Sequence, residues 1–150
     1  MQKLIILFFL VSFSLPVAAQ KKPAPKKPVA KSQAAAPGLS ASVAAGKSIY
    51  TQYCLSCHQA DGGGVQNMNP PLIKTTWVLG DKTRLSKVLL NGLQDVDIDG
   101  EPYNNVMPSH DFLSDKQIAD VLTYVRNSFG NKAPAVTAAE VKAVRATNKK

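Results

Sequence analysis

Apolar residues recur at helical spacing in three segments of the chain, and no segment sustains the strict alternation of a half-buried strand. The first segment, 42–52, leads into two closely spaced cysteines and has Ala45, Ile49 and Tyr53 on one face. Side chains four residues apart share a face of an α-helix, so this spacing predicts an amphipathic helix. The pattern as a whole predicts an all-α fold.

The second segment, 82–90, is bounded by residues that start and stop helices. Asp81 suits the N-cap position, because its carboxylate can accept a hydrogen bond from a free backbone N–H of the first turn. Asn91 and Gly92 follow the last apolar residue of the segment and favour helix termination. These signals predict a helix over 82–90.

The third segment begins with Ser114 and Gln117, which form a capping-box pattern. We expect this last helix to run to Phe129 and to be closed by Gly130. Its buried stripe would consist of Ile118, Val121, Leu122, Val125 and Phe129.

The N-terminal residues 1–19 have the composition of a secretory signal peptide. Lys3 supplies the charged region, an apolar run follows, and small residues precede a cleavage site after Ala19. The apolar run is shorter than the roughly 20 residues that a membrane-spanning helix needs. We therefore predict an exported, periplasmic protein.

Two further segments flank the predicted domain, which covers 38–131. Residues 20–37 are rich in Lys, Pro and Ala and predict a disordered linker, because proline interrupts helices and apolar residues are few. This linker is either a spacer or an arm for contact with anionic membrane lipid. Residues 132–150 form a basic tail in which Thr137 and Glu140 predict at most one short, weakly packed helix.

The net charge of +8 comes from these flanking segments. Residues 38–131 contain seven basic and nine acidic residues and are therefore mildly acidic. A nucleic-acid-binding domain would carry its basic residues on the folded surface, so we predict no nucleic-acid partner.

The segment Cys54-Leu55-Ser56-Cys57-His58 carries the clearest chemistry in the chain. Two thiols three positions apart can each bond one vinyl group of a porphyrin, and the following histidine is then carried beneath the iron. This is the spacing of a c-type haem attachment site. It predicts one covalently attached haem c, held by Cys54 and Cys57, with His58 as an axial ligand of the iron.

Three other interpretations of the two cysteines stay open at this point. A disulfide between Cys54 and Cys57 would suit a thioredoxin-like redox pair, although no βαβ pattern precedes the motif. A zinc site needs four ligands, and the two cysteines with His58 and His110 are the entire stock of Cys and His. The third interpretation is a plain pair of buried thiols.

Around this motif, residues 38–131 resemble the class I (mitochondrial-type) c-type cytochromes, which are single-haem electron carriers. Gly46 and Tyr50 precede Cys54 by eight and four residues, as the glycine and the aromatic residue do on the N-terminal helix of that family. The resemblance implies a small cytochrome c fold, with helices wrapped around one haem.

The resemblance also implies contacts for individual residues. Gly46 would let the terminal helices cross closely, against Val121 and Tyr124, because a side chain there would hold them apart. The carbonyl of Pro70 would accept the proton on the His58 ring nitrogen that is not bound to iron. Such a bond fixes the tautomer and orientation of a metal-binding histidine.

Met107 lies where the family places its second axial ligand, between a loop and the last helix. Met68 is the other methionine outside the signal peptide, but it follows His58 by only ten residues, too few for an easy crossing to the opposite haem face. His110 could replace Met107 and give two histidine ligands, or the sixth position could be open. We expect Met107 to be the ligand, with His58 opposite it.

The segments 91–94 and 100–108 resemble a subgroup of the family in which a loop hairpin carries the ligand. Members of this subgroup act beside exported sugar or alcohol dehydrogenases, or ahead of terminal oxidases. Trp77 and Tyr103 are expected to pack near the haem or beside its propionates.

The acidic run Asp95, Asp97 and Asp99 matches the first half of a calcium-binding loop. Its twelfth position, where a bidentate glutamate belongs, is Val106. We therefore expect a solvated loop or a docking patch for a basic partner, with weak calcium binding as the alternative.

These observations predict an electron carrier and no enzymatic activity of its own. The protein would carry one electron between an exported dehydrogenase or respiratory complex and an acceptor such as a terminal oxidase, alone or as the cytochrome subunit of a larger oxidoreductase. The alternative is a haem enzyme or gas sensor with an open sixth coordination position.

Overall fold

Six α-helices and one short β-hairpin make up the part of the chain that the computed structural model describes, residues 37–149. The predicted signal peptide at 1–19 and the predicted linker, apart from Pro37, lie outside the described residues. The elements are α1 (Pro37–Tyr53), α2 (Leu55–His58), α3 (Thr76–Leu79), α4 (Lys82–Asn91), β1 (Val96–Ile98), β2 (Glu101–Tyr103), α5 (Asp115–Arg126) and α6 (Ala138–Thr147).

The predicted start signals of α4 and α5 are both used. The Asp81 carboxylate accepts a hydrogen bond of 2.7 Å from the backbone N–H of Thr83. Ser114 and Gln117 form the reciprocal capping box, with each side chain accepting from the backbone N–H of the other residue. Both helices therefore begin where the sequence predicts.

Helix α5 ends at Arg126, three residues before the predicted end at Phe129. Side-chain amides replace the next helical turn, because Asn127 donates to the Thr123 carbonyl and Asn131 donates to the Val125 carbonyl. The left-handed φ of 57° at Phe129 then turns its ring towards α1. That ring completes an aromatic cluster with Tyr50 and Tyr124, with centroids 5.4 and 5.6 Å away.

Helices α1 and α5 form the most extensive helix–helix contact in the described structure. At the crossing, a Cβ on Gly46 would overlap the backbone carbonyl of Asp120 and lie 2.7 Å from the Cβ of Tyr124. Tyr124 is thus a neighbour as predicted, but the Asp120 backbone, and not Val121, lies nearest to the glycine. Val121 is buried in the core beside the crossing.

The β1–β2 hairpin is a local addition to the all-α architecture that the sequence predicts. Its strands are antiparallel, with Val96 opposite Tyr103 and Ile98 opposite Glu101. Asp99 and Gly100 form the turn with φ angles of 56° and 89°, as a two-residue type I′ turn requires. The strands are too short, at three residues each, to show as an alternating pattern in the sequence.

Helix α6 packs more tightly than the sequence predicts. Its capping box, Thr137 with Glu140, forms as expected. However, Val141 is completely buried and Val144 nearly so, both within the main hydrophobic core against α4 and α5. The residues after Asn131 therefore belong to the same compact unit as the predicted domain.

Candidate functional site

An apolar cleft runs between α1, α4, α5 and the loops that join them. Its walls are aliphatic and aromatic side chains with few polar groups. Four of the five predicted site residues, Cys54, His58, Pro70 and Met107, line this one cleft, together with His110.

The two cysteines lie at a mouth of the cleft. Both line an opening that continues the cleft to the surface, and both thiols are free. Cys54 is half-buried and Cys57 is exposed, since α1 breaks at Cys54 before the short helix α2. Burial, followed by the neighbouring Cys57, raises the pKa of the Cys54 thiol to about 11. Cys54 therefore presents an uncharged thiol to the apolar cleft, and the free thiol of Cys57 lies beside it at the surface.

The His58 side chain is held by a backbone carbonyl. Its Nδ1 lies 3.0 Å from the carbonyl oxygen of Pro70, as the sequence predicts. A carbonyl can only accept, so Nδ1 carries the proton and Nε2 keeps its lone pair. Burial is the main effect on the pKa of His58 and lowers it. The hydrogen bond to the Pro70 carbonyl raises this pKa, and the nearby His110 lowers it. The ring is thus neutral at neutral pH and can donate a lone pair to a metal.

The Met107 segment is anchored to the end of α4. The backbone of Met107 makes two hydrogen bonds with Leu93, of 2.9 and 3.0 Å. A Cβ on Gly92, whose φ is 78°, would overlap the Met107 carbonyl, so the glycine permits this close approach. The Ser109 hydroxyl donates a hydrogen bond to the Leu90 carbonyl, and the His110 backbone N–H donates one to the Leu89 carbonyl. Both carbonyls lie in the last turn of α4, where the helix supplies no backbone donor of its own.

His110 also lines the cleft and shares features with His58. It is buried, and its Nδ1 lies 2.9 Å from the Pro108 carbonyl, so Nε2 is the ring nitrogen that points to a ligand role. Its ring forms a cluster with Tyr53 and Phe112, with centroids 6.4 and 5.8 Å away. Met68, in contrast, is 48% exposed and is not among the described residues that line the cleft.

A net cationic surface pocket adjoins the cleft at Trp77. Trp77 lines both spaces, and Arg84 and Lys87 line the surface pocket together with Asp81. The Arg84 guanidinium lies 4.5 Å from the centre of the Trp77 ring, and its Nε is buried without a hydrogen-bond partner. A buried unpaired donor is costly, so this end of the cleft suits a ligand with carboxylate groups. Tyr103 lines a small pocket beside the hairpin, which shares Pro70 and Met107 with the cleft.

Sequence reasoning missed Arg84. A single arginine in the first turn of a helix gives no periodic or motif signal, and such residues are mostly solvated. Only the packing of α3 against α4 reveals that its Nε is buried.

One residue of the acidic run, Asp99, makes hydrogen bonds within the chain. Both carboxylate oxygens of Asp99 accept hydrogen bonds from Thr76, one from its backbone N–H at 2.9 Å and one from its hydroxyl. Within residues 37–149, no three His, Cys, Asp or Glu side chains are grouped as a metal-ion site requires.

The donor set fits a covalently held haem. The cleft supplies two free thiols at one mouth, a neutral imidazole with an available lone pair, a thioether and, at the other end, a cationic pocket with an unsatisfied donor. These groups would suit the vinyl groups, the iron and the propionates of a porphyrin. The fold and the cleft together define a small helical haem-binding protein.

Comparisons with known proteins identify the family. Residues 43–129 match the family model for cytochrome c. Cytochrome c-552 of Thermus thermophilus is 37% identical over 119 residues, which cover 73% of this chain and 80% of that protein. The cytochrome c subunit of the quinone alcohol dehydrogenase of Gluconacetobacter polyoxogenes is 42% identical over 115 residues, which cover 75% of this chain.

The chain spans about a quarter of the length of the dehydrogenase subunits that it resembles. The matched region is 24% of the Gluconacetobacter polyoxogenes subunit and 24% of the gluconate 2-dehydrogenase cytochrome c subunit of Pantoea cypripedii, to which the chain is 35% identical. The resemblance is thus to one part of those subunits.

This chain belongs to the cytochrome c family, in the class I group of c-type cytochromes. It is an electron-transfer protein, and its cofactor is covalently bound haem c. Between residues 37 and 149, none of the helices has the length and apolar character to cross a membrane.

Proposed function

We propose that Cys54 and Cys57 form the thioether bonds to the haem and that His58 and Met107 are the axial ligands of its iron. The observation that carries this proposal is the 3.0 Å contact between His58 Nδ1 and the Pro70 carbonyl, in the cleft that Met107 also lines. This contact holds the ring proton on Nδ1, so the lone pair of Nε2 is the one that can bind a metal. Pro70 is then the carbonyl that fixes the ligand's orientation.

Each of these residues has a physical role in electron transfer. When bound, the haem takes up and releases one electron at its iron. The Pro70 carbonyl holds the imidazole of His58 in one tautomer and orientation, so little rearrangement accompanies a change of charge. The thioether of Met107 favours a higher reduction potential than a second nitrogen ligand. The apolar walls exclude water, which further limits reorganisation and keeps competing ligands out.

The electron is expected to leave or enter at the mouth lined by the cysteines. Val106 lines this opening and is 60% exposed, and Phe112, which is 63% exposed, packs beside it on His110. No Asp, Glu, Lys or Arg is among the described residues that line this mouth. Such a small apolar surface suits transient contact with a redox protein, since redox encounters bury little area.

We propose that the partners are an exported dehydrogenase or respiratory complex as donor and a terminal oxidase or another cytochrome as acceptor. Relatives named as cytochrome subunits of alcohol, gluconate and fructose dehydrogenases support a dehydrogenase donor. The protein would act as a carrier without catalysis of its own, free or within a larger oxidoreductase. Export to the periplasm rests on the secretory composition of 1–19, with cleavage after Ala19.

Two alternatives remain for the sixth coordination position. His110 lines the same cleft, with Nδ1 held by the Pro108 carbonyl, and binding through Nε2 would give two histidine ligands. An open position would instead favour a haem enzyme or gas sensor. Backbone anchoring of Met107 to Leu93 favours the methionine, because it fixes the segment before the ligand is bound.

Visible spectra of the full chain, matured in a host that attaches c-type haem, test this proposal. We expect sharp bands in the reduced form, a methionine-to-iron(III) charge-transfer band in the far red, and little binding of carbon monoxide. Met107→Ala should abolish the far-red band and allow carbon monoxide to bind, whereas His110→Ala should keep the band. Loss of the band in His110→Ala alone, or its absence in the native protein, would reject Met107 as the ligand.

A further inference from the structure

Helix α6 lies outside residues 43–129, the region that matches the cytochrome c family, yet it contacts both sides of the segment that carries Met107. That segment leaves α4 at Asn91 and joins α5 after Leu113. Met107 lies within this connection, so contacts that fix the two ends of the segment restrict the motion of Met107 out of the cleft.

The first contact lies at the end of α4. The side-chain amides of Asn91 and Asn148 are paired reciprocally, with each NH₂ donating to the other's oxygen at 3.1 and 2.7 Å. Asn91 directly precedes Gly92 and Leu93, which contact the Met107 backbone. The amide pair therefore ties the last turn of α6 to the anchor of Met107.

The second contact lies after Met107, at the other end of the segment. The Arg145 guanidinium donates to the Asp111 carbonyl at 3.0 Å, to the Leu113 carbonyl at 2.7 Å and to the Asp115 carboxylate at 2.7 Å. One planar side chain thus binds two backbone carbonyls of the Met107 segment and the first residue of α5. Hydrogen bonds from a charged donor are roughly twice as strong as neutral ones.

The buried face of α6 fixes the helix that carries these two contacts. Val141 and Val144 are buried against α4 and α5, so the helix cannot shift without opening the core. Arg145 and Asn148 project from the same end of a helix that is already fixed. The backbone between Asn91 and Leu113 is consequently held at both ends by one rigid element.

We propose that α6 is a clamp that keeps Met107 in the cleft, and that Arg145 and Asn148 are its positioning residues. Removal of either contact frees one end of the segment and increases the population in which the sixth position is open. This inference rests on the proposed ligand role of Met107. It assigns the residues after the family region a function in holding the ligand and excluding foreign ones.

Imidazole binding to the oxidised holoprotein tests the clamp. Exogenous imidazole can bind the iron only when Met107 has left it, so its apparent affinity reports the population of the open form. We expect Arg145→Ala to raise this affinity about tenfold, which corresponds to about 1.4 kcal/mol in the opening equilibrium. Asn148→Ala should raise it less, since it removes only neutral hydrogen bonds.

Two variants separate clamping from general stabilisation. Lys82→Ala removes the 2.9 Å ion pair with Glu140, which joins α6 to α4 far from the Met107 segment in sequence. It should leave imidazole affinity within about twofold of the native value. Asp115→Asn removes the ion pair of Arg145 but leaves its two carbonyl contacts, and should also have a small effect. Denaturant unfolding, followed by circular dichroism, measures global stability for each variant.

The outcomes distinguish the clamp from the ligand assignment. If the native protein shows the far-red band and Arg145→Ala binds imidazole no more tightly than Lys82→Ala, the clamp is rejected while Met107 remains the ligand. If imidazole affinity in all variants follows global stability alone, the clamp is likewise rejected. If the native protein lacks the far-red band, the ligand assignment fails and the clamp fails with it.

Discussion

The crossing of α1 and α5 at Gly46 gives the sharpest test of how the fold is built. We expect Gly46→Ala to destabilise the holoprotein, although alanine is the better helix former. In a helix interior, alanine is favoured over glycine by about 1 kcal/mol. The substitution would therefore stabilise the protein if the surroundings had room for a methyl group.

The structure indicates that they do not. A Cβ at Gly46 would lie 2.6 Å from the carbonyl carbon of Asp120 and 2.7 Å from the Cβ of Tyr124. Ordinary carbon–carbon contact is about 3.5–4.0 Å, so the two helices must separate by roughly 1 Å. Neither obstructing group can rotate away, because one is backbone and the other is fixed to it.

A gap of that size removes between a quarter and a half of each dispersion contact that it opens. Overpacking of this kind costs about 1–3 kcal/mol, and the backbone obstruction places Gly46→Ala near the upper end. After subtraction of about 1 kcal/mol for helix propensity, we expect a net loss of about 2 kcal/mol in the free energy of unfolding.

The assay is equilibrium unfolding of the full holoprotein in guanidinium chloride, with Gly38→Ala as the matched control. Gly38 lies in the same helix, and a Cβ there would meet no atom within 4 Å. Gly38→Ala should therefore be neutral or slightly stabilising. Equal effects of the two substitutions, or a Gly46→Ala protein as stable as the native one, would refute the close-crossing argument.

Two further predictions concern polar groups outside the cleft. Arg126 is buried and donates hydrogen bonds to the carbonyls of Val78, Leu79, Gly80 and Pro134. Arg126→Met should lower the free energy of unfolding by at least about 3 kcal/mol, because these buried carbonyls lose their donor. Lys116→Met is its control and should change the free energy of unfolding by less than about 1 kcal/mol, because the Lys116 side chain is 73% exposed and Asp120 keeps its hydrogen bond from the Ser42 hydroxyl. Comparable losses in the two variants would contradict the argument. Hydrogen bonds from Thr76 lower the pKa of the Asp99 carboxyl in the folded protein. The ionised carboxylate therefore stabilises the fold fully at pH values above its unfolded-state pKa, and this stabilisation is lost as the pH falls through the folded-state pKa. Asp99→Asn should thus destabilise the protein at pH 7 and have less effect in acid, measured by unfolding at both pH values; a loss independent of pH would point to packing instead.

Local signals in the sequence determined much of the fold. Capping residues such as Asp81 and Ser114 act within a few positions, and the structure uses both as predicted. The family features around Cys54 and His58 are equally local, because haem attachment requires thiols and imidazole at fixed spacing. Consequently, the family, the cofactor and the electron-transfer class all follow from short stretches of sequence, and the comparisons confirm them.

Tertiary structure decided how distant segments cooperate. The end of α5 depends on Asn127 and Asn131, whose side-chain amides replace backbone N–H donors to the Thr123 and Val125 carbonyls. The apolar spacing continues to Phe129, so the sequence pattern does not show that the helix ends at Arg126. The role of Arg145 depends on carbonyls that lie about thirty residues earlier in the chain. Hydrogen bonds of this kind depend on the arrangement of backbone carbonyls in space, and carbonyls are identical in every residue. A sequence can therefore specify such contacts without displaying them as a pattern.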